Sequence, residues 1–191
     1  MIILRRCCIC ECYNNAMAHI HLNPGEHDLT TSAFIVRDDF PEPRLLLHMH
    51  KKLNVLLQPG GHVELNENPW QAIEHEITEE SGYTFDDLRV LQPKDRLTSI
   101  SGAQLHPTPI ALNTHNFDDD GIHKHTDISF AFVASGEPGL SPEEGESDDL
   151  RWLSLDDLES LGSDEIFENV REIGCYVLKT VYGTWEQVTL A

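Results

Sequence analysis

The sequence has no long hydrophobic run and few basic residues. None of its apolar segments approaches the roughly 20 residues that a transmembrane helix needs, so we expect no membrane association. Lysine and arginine number 13 against 33 aspartates and glutamates, which gives a formal net charge of −20. Because binding to DNA or RNA needs a basic surface, this charge argues against a nucleic-acid polymer as the partner. A small phosphorylated substrate stays open, since a divalent cation can neutralise an acidic site locally.

Cysteine is also scarce, and four of the five cysteines lie together near the start. These four are Cys7, Cys8, Cys10 and Cys12, within RRCCICEC. A zinc site usually joins two separated ligand pairs, and no second pair follows, so we interpret the cluster as reduced thiols in an N-terminal extension. The opening MIILRR lacks the order of a signal peptide, and Met17 is an alternative start. These features favour a cytoplasmic location.

Short apolar segments bounded by turn residues predict a series of β-strands with two helices among them. The predicted strands are 30–36, 44–50 and 54–58 before the first helix, and 95–101, 108–115, 126–135 and 150–155 after it. The last helix is predicted to begin at Ser163 as its cap and to carry one apolar side: Ile166, Val170, Ile173, Val177 and Val181. The simplest packing of these elements is an α/β fold with a mixed sheet flanked by helices.

The helix predicted at 69–81 has clear start and stop signals. Asn68 can cap its first turn, Pro69 suits its first position, and Gly82 can end it. At about 100° per residue its apolar side chains form one stripe, which we expect to dock on the sheet. The stripe consists of Trp70, Ile73 and Ile77.

The same helix carries Glu76, Glu79 and Glu80 beside that stripe. Like charges at this spacing destabilise an isolated helix by roughly 0.2–0.5 kcal/mol per pair. The grouping of the three glutamates therefore indicates a function that offsets this cost. The preceding Pro59-Gly60-Gly61 can turn backbone groups toward the same edge, because glycine tolerates close approach. Carboxylates and a carbonyl at one edge form an all-oxygen site that suits Mg²⁺ or Mn²⁺. The alternative is a solvent-exposed acidic face.

The stretch from Gly61 to Tyr83 resembles the Nudix box. That pattern is Gly, five residues, Glu, seven residues, Arg-Glu, an apolar residue, any residue, Glu-Glu, any residue, Gly and an apolar residue. The matching positions are Gly61, Glu67, Glu76, Ile77, Glu79, Glu80, Gly82 and, loosely, Tyr83. The resemblance implies a Nudix-type α/β/α sandwich with a mixed β-sheet. We expect this domain at 28–191, including the C-terminal helix, after an extension at 1–27.

The resemblance implies a metal-dependent hydrolase that cleaves a pyrophosphate bond in a nucleoside diphosphate linked to another group. The implied ligands of Mg²⁺, or Mn²⁺, are Glu76, Glu79, Glu80 and the Gly61 carbonyl. The ion would neutralise the phosphates and lower the pKa of the attacking water, while Glu67 would support the loop–helix geometry. The three glutamates are thereby catalytic residues. The expected partner is a small nucleoside diphosphate derivative, and a homodimer stays open.

A further catalytic acid is expected in the acidic loop PEEGESDDLRW, because many Nudix enzymes place one near this point. Glu146 is the candidate. The alternative for this loop is a solvated acidic turn without a chemical role.

One position departs from the box, because His75 stands where the family has arginine. Arginine presents a planar fork that stays charged at any pH, whereas an imidazole ordinarily loses its charge near pH 6.5. This departure favours a second hypothesis, a Nudix-fold module that binds a nucleotide or sugar phosphate with weak or no hydrolysis. An isomerase on this fold would need other acid–base residues, and the intact glutamates favour hydrolysis over both.

The segment HKHTDISF places His123, His125 and Asp127 at the mouth of a strand. Such a group could form a second metal or substrate site, although side chains that cap strands or lie in water are the preferred interpretation. Lys51-Lys52, in the turn before the box, could steer a phosphate. No role follows from the sequence for His106.

Overall fold

The computed structural model describes residue 23, residues 25–117 and residues 123–190. The strands in this part of the chain are β1 His27–Arg37, β2 Arg44–Met49, β3 Leu56–Leu57, β4 Gly60–His62, β5 Leu88–Gln92, β6 Ala111–Asn116, β7 Lys124–Ala134, β8 Leu150–Leu153 and β9 Glu186–Thr189. The helices are α1 Pro69–Ser81, α2 Leu155–Ser160, α3 Glu168–Tyr176 and the short α4 Tyr182–Thr184, with a π-helical segment, Val177–Val181, joining the last two. None of these helices has the length and apolar character needed to cross a membrane.

The two longest strands, β1 and β7, form the parallel centre of a mixed nine-stranded sheet. They pair over their whole length, from His27 beside Lys124 to Arg37 beside Ala134. The outer edge of β1 is shared by β4, which pairs with its first half, and β2, which pairs with its end. The outer edge of β7 is likewise shared by β6 and β5. The sheet therefore forks on both sides of its central pair.

Helices cover both faces of this sheet. Alternate residues of each strand point to opposite faces, so each strand contributes side chains to two cores. On β1, Ala33 and Ile35 pack in a core with Ile73 and Ile77 of α1. Phe34 and Val36 pack in the other core, whose helical members are Leu158, Val170, Val177 and Val181. The described chain is thus a three-layer sandwich of helix, sheet and helix, as the sequence predicts.

Helix α1 begins and ends where its signals predict. The Asn68 side chain accepts hydrogen bonds from the backbone N–H groups of Trp70 and Gln71 at 3.0 and 3.1 Å, and Pro69 is the first helical residue. Gly82 follows the helix with a φ of 73°, in the left-handed region that favours glycine. The predicted apolar stripe is confirmed, since Ile73 and Ile77 are fully buried and Trp70 packs on the rings of Phe130 and Phe132.

Six of the seven predicted strands coincide with observed strands, but the strand predicted at 95–101 is wrong. That segment has no regular secondary structure. The strand lies earlier, at β5, where Val90 and Leu91 are buried, whereas Leu97 is 74% exposed. Burial against β7 therefore decides between two apolar segments that look alike in sequence.

The last helix also differs from its prediction. Ser163 caps no helix, because it lies in a turn in which the Glu165 N–H donates to the Gly162 carbonyl at 3.1 Å. Ile166, predicted to be helical, instead forms a parallel bridge with Leu56. Helix α3 begins only at Glu168. The prediction also missed α2, β5 and β9. It placed Gly60 and Gly61 in a turn, whereas they belong to strand β4.

The predicted cysteine cluster and Met17 lie outside the described residues, as does most of the extension expected at 1–27. Within the described residues, Cys175 is a free thiol on α3 and packs against the core between the sheet and that helix. Burial raises the pKa of this thiol.

Candidate active site

The acidic side of α1 lines a cavity of about 320 Å³ beside β4. Glu76 and Glu80 form the helix wall of this cavity. Lys51 and Lys52, in the turn between β2 and β3, and Glu146, in the loop between β7 and β8, line it as well. The fold thereby brings three of the predicted catalytic glutamates and the lysine pair to one cavity.

The glycines of β4 let the backbone lie directly against the carboxylates. A Cβ atom added at Gly61 would lie 2.1 Å from Oε1 of Glu76, so any side chain there would displace that carboxylate. Gly60 has a φ of 151°, and a Cβ there would lie 2.2 Å from the Thr31 carbonyl oxygen. The Gly60 N–H donates to Oε2 of Glu80 at 2.7 Å. The two glycines therefore form a cradle for the side chains of both glutamates.

Burial dominates the electrostatics of this pair. It raises the pKa of Glu76 to about 7; the charge of His75 opposes the shift, and the carboxylates of Glu79 and Glu146 add to it. Burial also raises the pKa of Glu80 well above its usual range, and the neighbouring Glu76 adds to that shift. Two neighbouring carboxylates that are partly or fully buried are costly unless a positive charge lies beside them. A divalent cation would provide that charge.

His75 links the loop before α1 to the helix itself. Its Nδ1 lies 3.1 Å from Oε2 of Glu67, and its Nε2 lies 3.6 Å from Oε1 of Glu76. The other oxygen of Glu67 accepts a hydrogen bond from the Glu64 N–H at 2.8 Å. The imidazole thus contacts two glutamates with one ring nitrogen each, in the position where the box has arginine.

The donor set fits a hard divalent cation. Ligand atoms of His75, Glu76 and Glu79 lie within 4.8 Å of one another. Glu80 follows on the same helix, and the backbone of Gly61 lies against Glu76. Carboxylate and carbonyl oxygens are the ligands that Mg²⁺ and Mn²⁺ prefer. The glycine cradle and the raised pKa values of the buried pair both support this fit.

The loop that carries Glu146 is tied to the C-terminal end of α1 by its backbone. The Leu140 N–H donates to the Gly82 carbonyl at 3.1 Å, and the Glu143 N–H donates to the Glu79 carbonyl at 2.8 Å. These two bonds satisfy carbonyls that the end of a helix leaves without partners. They also explain how a residue so distant in sequence reaches the glutamates of the helix.

His48 is a member of the site that the sequence analysis missed. Its Nε2 lies 3.8 Å from Oε2 of Glu80, too long for a hydrogen bond. Burial lowers the pKa of His48 to about 4, with a contribution from the charge of His50, so the imidazole is neutral at neutral pH. In sequence the segment RLLLHMH is typical of a strand, and nothing in it distinguishes His48 before α1 is placed beside it.

A second cavity of about 130 Å³ adjoins the first along β4. Asp127 lines it and accepts hydrogen bonds from the hydroxyls of Thr30, Ser32 and Ser129 at 3.0, 2.8 and 2.6 Å. The carboxylate that groups with His123 and His125 is Asp28, which the sequence analysis did not single out. His106 lies in the loop between β5 and β6 and lines neither cavity.

Comparison with known proteins identifies the family. The family model described as NUDIX domain matches residues 26–171. The chain belongs to the Nudix family. A NUDIX-family hydrolase from Clostridium perfringens is 32% identical, with a TM-score of 0.65, over 80% of this chain and 97% of that one. No curated protein sequence matches the chain.

More distant Nudix structures share the fold. The Ap4A hydrolase of C. elegans is 17% identical, with a TM-score of 0.53, over 78% of this chain and 92% of that one. The NUDIX domain of Shewanella oneidensis NrtR, solved in complex with ADP ribose, is 14% identical, with a TM-score of 0.56, over 78% and 84% of the two chains. The predicted family and the predicted α/β/α sandwich are thereby confirmed.

Proposed function

We propose that this Nudix protein is a metal-dependent hydrolase that cleaves a pyrophosphate bond in a nucleoside diphosphate linked to another group. The observation that carries the proposal is the pair of the partly buried Glu76 and the buried Glu80, which lies against the glycine cradle of β4. Membership of the family and the similarity to the hydrolase of C. perfringens support hydrolysis as the reaction.

The proposed cofactor is Mg²⁺, with Mn²⁺ as the alternative. Its proposed ligands are Glu76, Glu79, Glu80 and the carbonyl of Gly61. When bound, such an ion neutralises the substrate phosphates and lowers the pKa of the attacking water. The protein supplies the carboxylates of Glu76 and Glu80, whose pKa values are raised chiefly by burial.

The remaining residues of the cavity are proposed to position the reaction. His75 holds Glu67 and Glu76 and thereby fixes the loop relative to α1. Glu146 faces the same cavity and is the proposed catalytic acid or base, since a carboxylate within reach can exchange a proton with water. The Lys51 ammonium donates to the Gly145 carbonyl at 3.0 Å, beside Glu146, where it would attract a phosphate.

The proposed partner is a small nucleoside diphosphate derivative, and neither a nucleic-acid polymer nor a membrane. The net charge of −20 supports this choice, because an acidic surface repels a nucleic-acid polymer. A small phosphorylated substrate can still bind where a divalent cation neutralises the acidic site. We further propose a cytoplasmic protein whose Nudix domain occupies 28–191 after an extension at 1–27. A homodimer remains open.

A second candidate function is a Nudix module that binds a nucleotide or sugar phosphate with weak or no hydrolysis. The observation that favours it is His75, because one imidazole contacts Glu76 at 3.6 Å, where an arginine would offer a bidentate fork. The NrtR domain solved with ADP ribose makes ADP-ribose-like compounds useful probes for this function.

The test is a substrate panel of nucleoside triphosphates, ADP-ribose-like compounds and dinucleoside polyphosphates. Each is incubated with Mg²⁺ or Mn²⁺, and the released phosphates are measured. We expect turnover by the wild type and by Glu74→Gln, a change on the exposed side of α1. Glu80→Gln keeps an oxygen acceptor for the Gly60 N–H, and we expect it to lower the rate at least about a hundredfold, or about 2.7 kcal/mol.

Two results would reject hydrolysis at this site. Unchanged turnover by Glu80→Gln at saturating Mg²⁺ would exclude the glutamates as ligands. Tight binding of one compound without turnover, by a folded wild type with either ion, would establish the binding module instead.

A further inference from the structure

A buried carboxylate and three imidazoles meet on the face of the sheet opposite α1. Asp28 on β1 lies beside His125 on β7 in the parallel register, and their side chains share a face with Phe34, which packs toward α3. His62 is the last residue of β4, and His123 directly precedes β7. Three strands thus contribute to one group, Asp28, His62, His123 and His125, which we call the histidine cluster.

The distances within the histidine cluster match those of a metal site. Nε2 of His123 and Nε2 of His62 lie 3.1 and 3.4 Å from the same oxygen, Oδ2 of Asp28. Ligand atoms of Asp28, His123 and His125 lie within 4.8 Å of one another. Tetrahedral zinc with bonds of about 2.0 Å holds neighbouring ligand atoms about 3.3 Å apart. The two separations from Oδ2 of Asp28 are close to this value, and the shorter one is a hydrogen bond between Asp28 and His123 that a cation would replace.

Burial supports the same interpretation. Asp28 is fully buried and His125 is 7% exposed, while the side chains of His62 and His123 are 10% and 13% exposed. A buried carboxylate is normally paired with a cation or bound to a metal. Imidazole and carboxylate together suit Zn²⁺ and similar transition cations, in contrast to the all-oxygen set on α1.

We propose that Asp28, His62, His123 and His125 form a second metal site, which takes Zn²⁺ or a similar transition cation. This site is separate from the Mg²⁺ ligands on α1. Because its ligands come from β1, β4 and the start of β7, the cation would join three strands near the first residues of the central pair. His62 also lines the cavity of the glutamates, so the cation would lie in the wall of that cavity. The proposal goes beyond hydrolysis and holds whether or not the protein turns over a nucleotide.

The experiment titrates Zn²⁺ and Co²⁺ into metal-free protein and follows heat, Co²⁺ absorption and melting temperature. The ligand variant is His123→Gln with His125→Gln, and His123→Gln alone serves if the double variant fails to fold. His106→Gln is the matched histidine control, and Glu76→Gln with Glu79→Gln removes two of the proposed ligands on α1. All are compared in the wild-type chain and in a background with Cys7, Cys8, Cys10 and Cys12 changed to serine.

We expect one Zn²⁺ per chain whose binding depends on His123 and His125, and which raises the melting temperature in the wild type, in the serine background and in both controls. The histidine variants should lose at least about tenfold in affinity. Co²⁺ should show d–d bands without the thiolate charge-transfer band that cysteine ligands produce. Binding that survives the histidine changes, binding that disappears with the glutamate or serine changes, or no binding at all would overturn the proposal.

Discussion

At the scale of single residues, His75 determines how firmly the loop before α1 is held. One ring nitrogen contacts Glu67 and the other contacts Glu76, at 3.1 and 3.6 Å. An arginine would offer each carboxylate a charged donor at every pH, whereas an imidazole ordinarily changes its charge between about pH 5 and 8. The imidazole therefore holds a proposed metal ligand less firmly than the charged fork of an arginine would.

We expect His75→Arg to raise the hydrolysis rate, with a larger gain above about pH 7.5 than below about pH 6. The gain should reach up to about tenfold, equivalent to about 1.4 kcal/mol of transition-state stabilisation. The measurement is the ratio of variant to wild-type rate across this pH range. His75→Ala should lower the rate, and His106→Arg should leave it unchanged. A ratio that stays at one throughout would show that position 75 orients no catalytic group.

Glu76 also makes the stability of the metal-free protein depend on pH. Its pKa is raised from 4.5 to about 7 in the folded chain, so the folded state binds a proton more tightly than the unfolded state does. This contribution to the free energy of unfolding is fully present below pH 4.5 and is lost as the pH rises through about 7.

In chelator-treated wild-type protein, the free energy of unfolding should fall as the pH rises from about 4.5 to about 7. We expect this fall to be smaller in Glu76→Gln, by on the order of 1–3 kcal/mol. Urea unfolding at a series of pH values measures it, with Glu74→Gln as the exposed control. Parallel pH profiles for Glu76→Gln and the wild type would contradict a raised pKa at this residue.

At the scale of secondary-structure elements, the end of α1 carries both the helix stop and the contact to the Glu146 loop. Gly82 has a φ of 73°, and a Cβ added there would lie 2.2 Å from the Leu140 carbonyl oxygen. Gly102 has a similar φ of 77° but no atom within 4 Å of the corresponding Cβ. The two glycines share a backbone conformation and differ in what surrounds them.

We expect Gly102→Ala to cost about 1 kcal/mol of unfolding free energy, from the left-handed backbone alone. Gly82→Ala should cost about 2–4 kcal/mol, because the loop must also move. Since that loop carries Glu146, Gly82→Ala should in addition lower the hydrolysis rate measured well below its melting temperature. Equal costs at both positions would show that the contact with Leu140 does not constrain the loop.

At the scale of the whole molecule, the negative charge is unevenly placed. The chain has a net charge of −20, yet Glu80 is buried and its neighbour Glu76 is only partly exposed. Salt screens exposed charges over distances of about 10 Å at 0.1 M and affects buried pairs much less. General screening and specific binding can therefore be separated by the choice of ion.

We expect Mg²⁺ at millimolar concentration to raise the melting temperature more than NaCl of the same ionic strength, because it binds the folded glutamates and not the unfolded chain. Glu76→Gln with Glu79→Gln should remove the difference between the two salts. Calorimetry or fluorescence melting in each salt measures it. Equal shifts in both salts with the wild type would assign the whole effect to screening.

Features that depend on neighbouring residues in sequence were predicted from the sequence alone. The bounds of α1 follow from Asn68, Pro69 and Gly82, whose effects act within one helical turn. The glutamate group on that helix follows from its 3.6-residue period, and the family follows from the fixed spacing of the box. Local geometry determines the helix and its glutamate group, and the family is implied by the resemblance of the box, so no tertiary contact is needed to predict them.

Features that depend on distant partners were decided only by the tertiary structure. The strand forms at β5, and not at 95–101, because β5 pairs with β7. Helix α3 begins later than predicted, because Ile166 forms a bridge with Leu56. His48 lies beside Glu80 although the two residues are far apart in sequence. The carboxylate grouped with His123 and His125 is Asp28, and not Asp127 as the sequence suggested, because the register of the strands determines which side chains lie together. A short strand has little local preference of its own, so burial and pairing with distant strands determine its place.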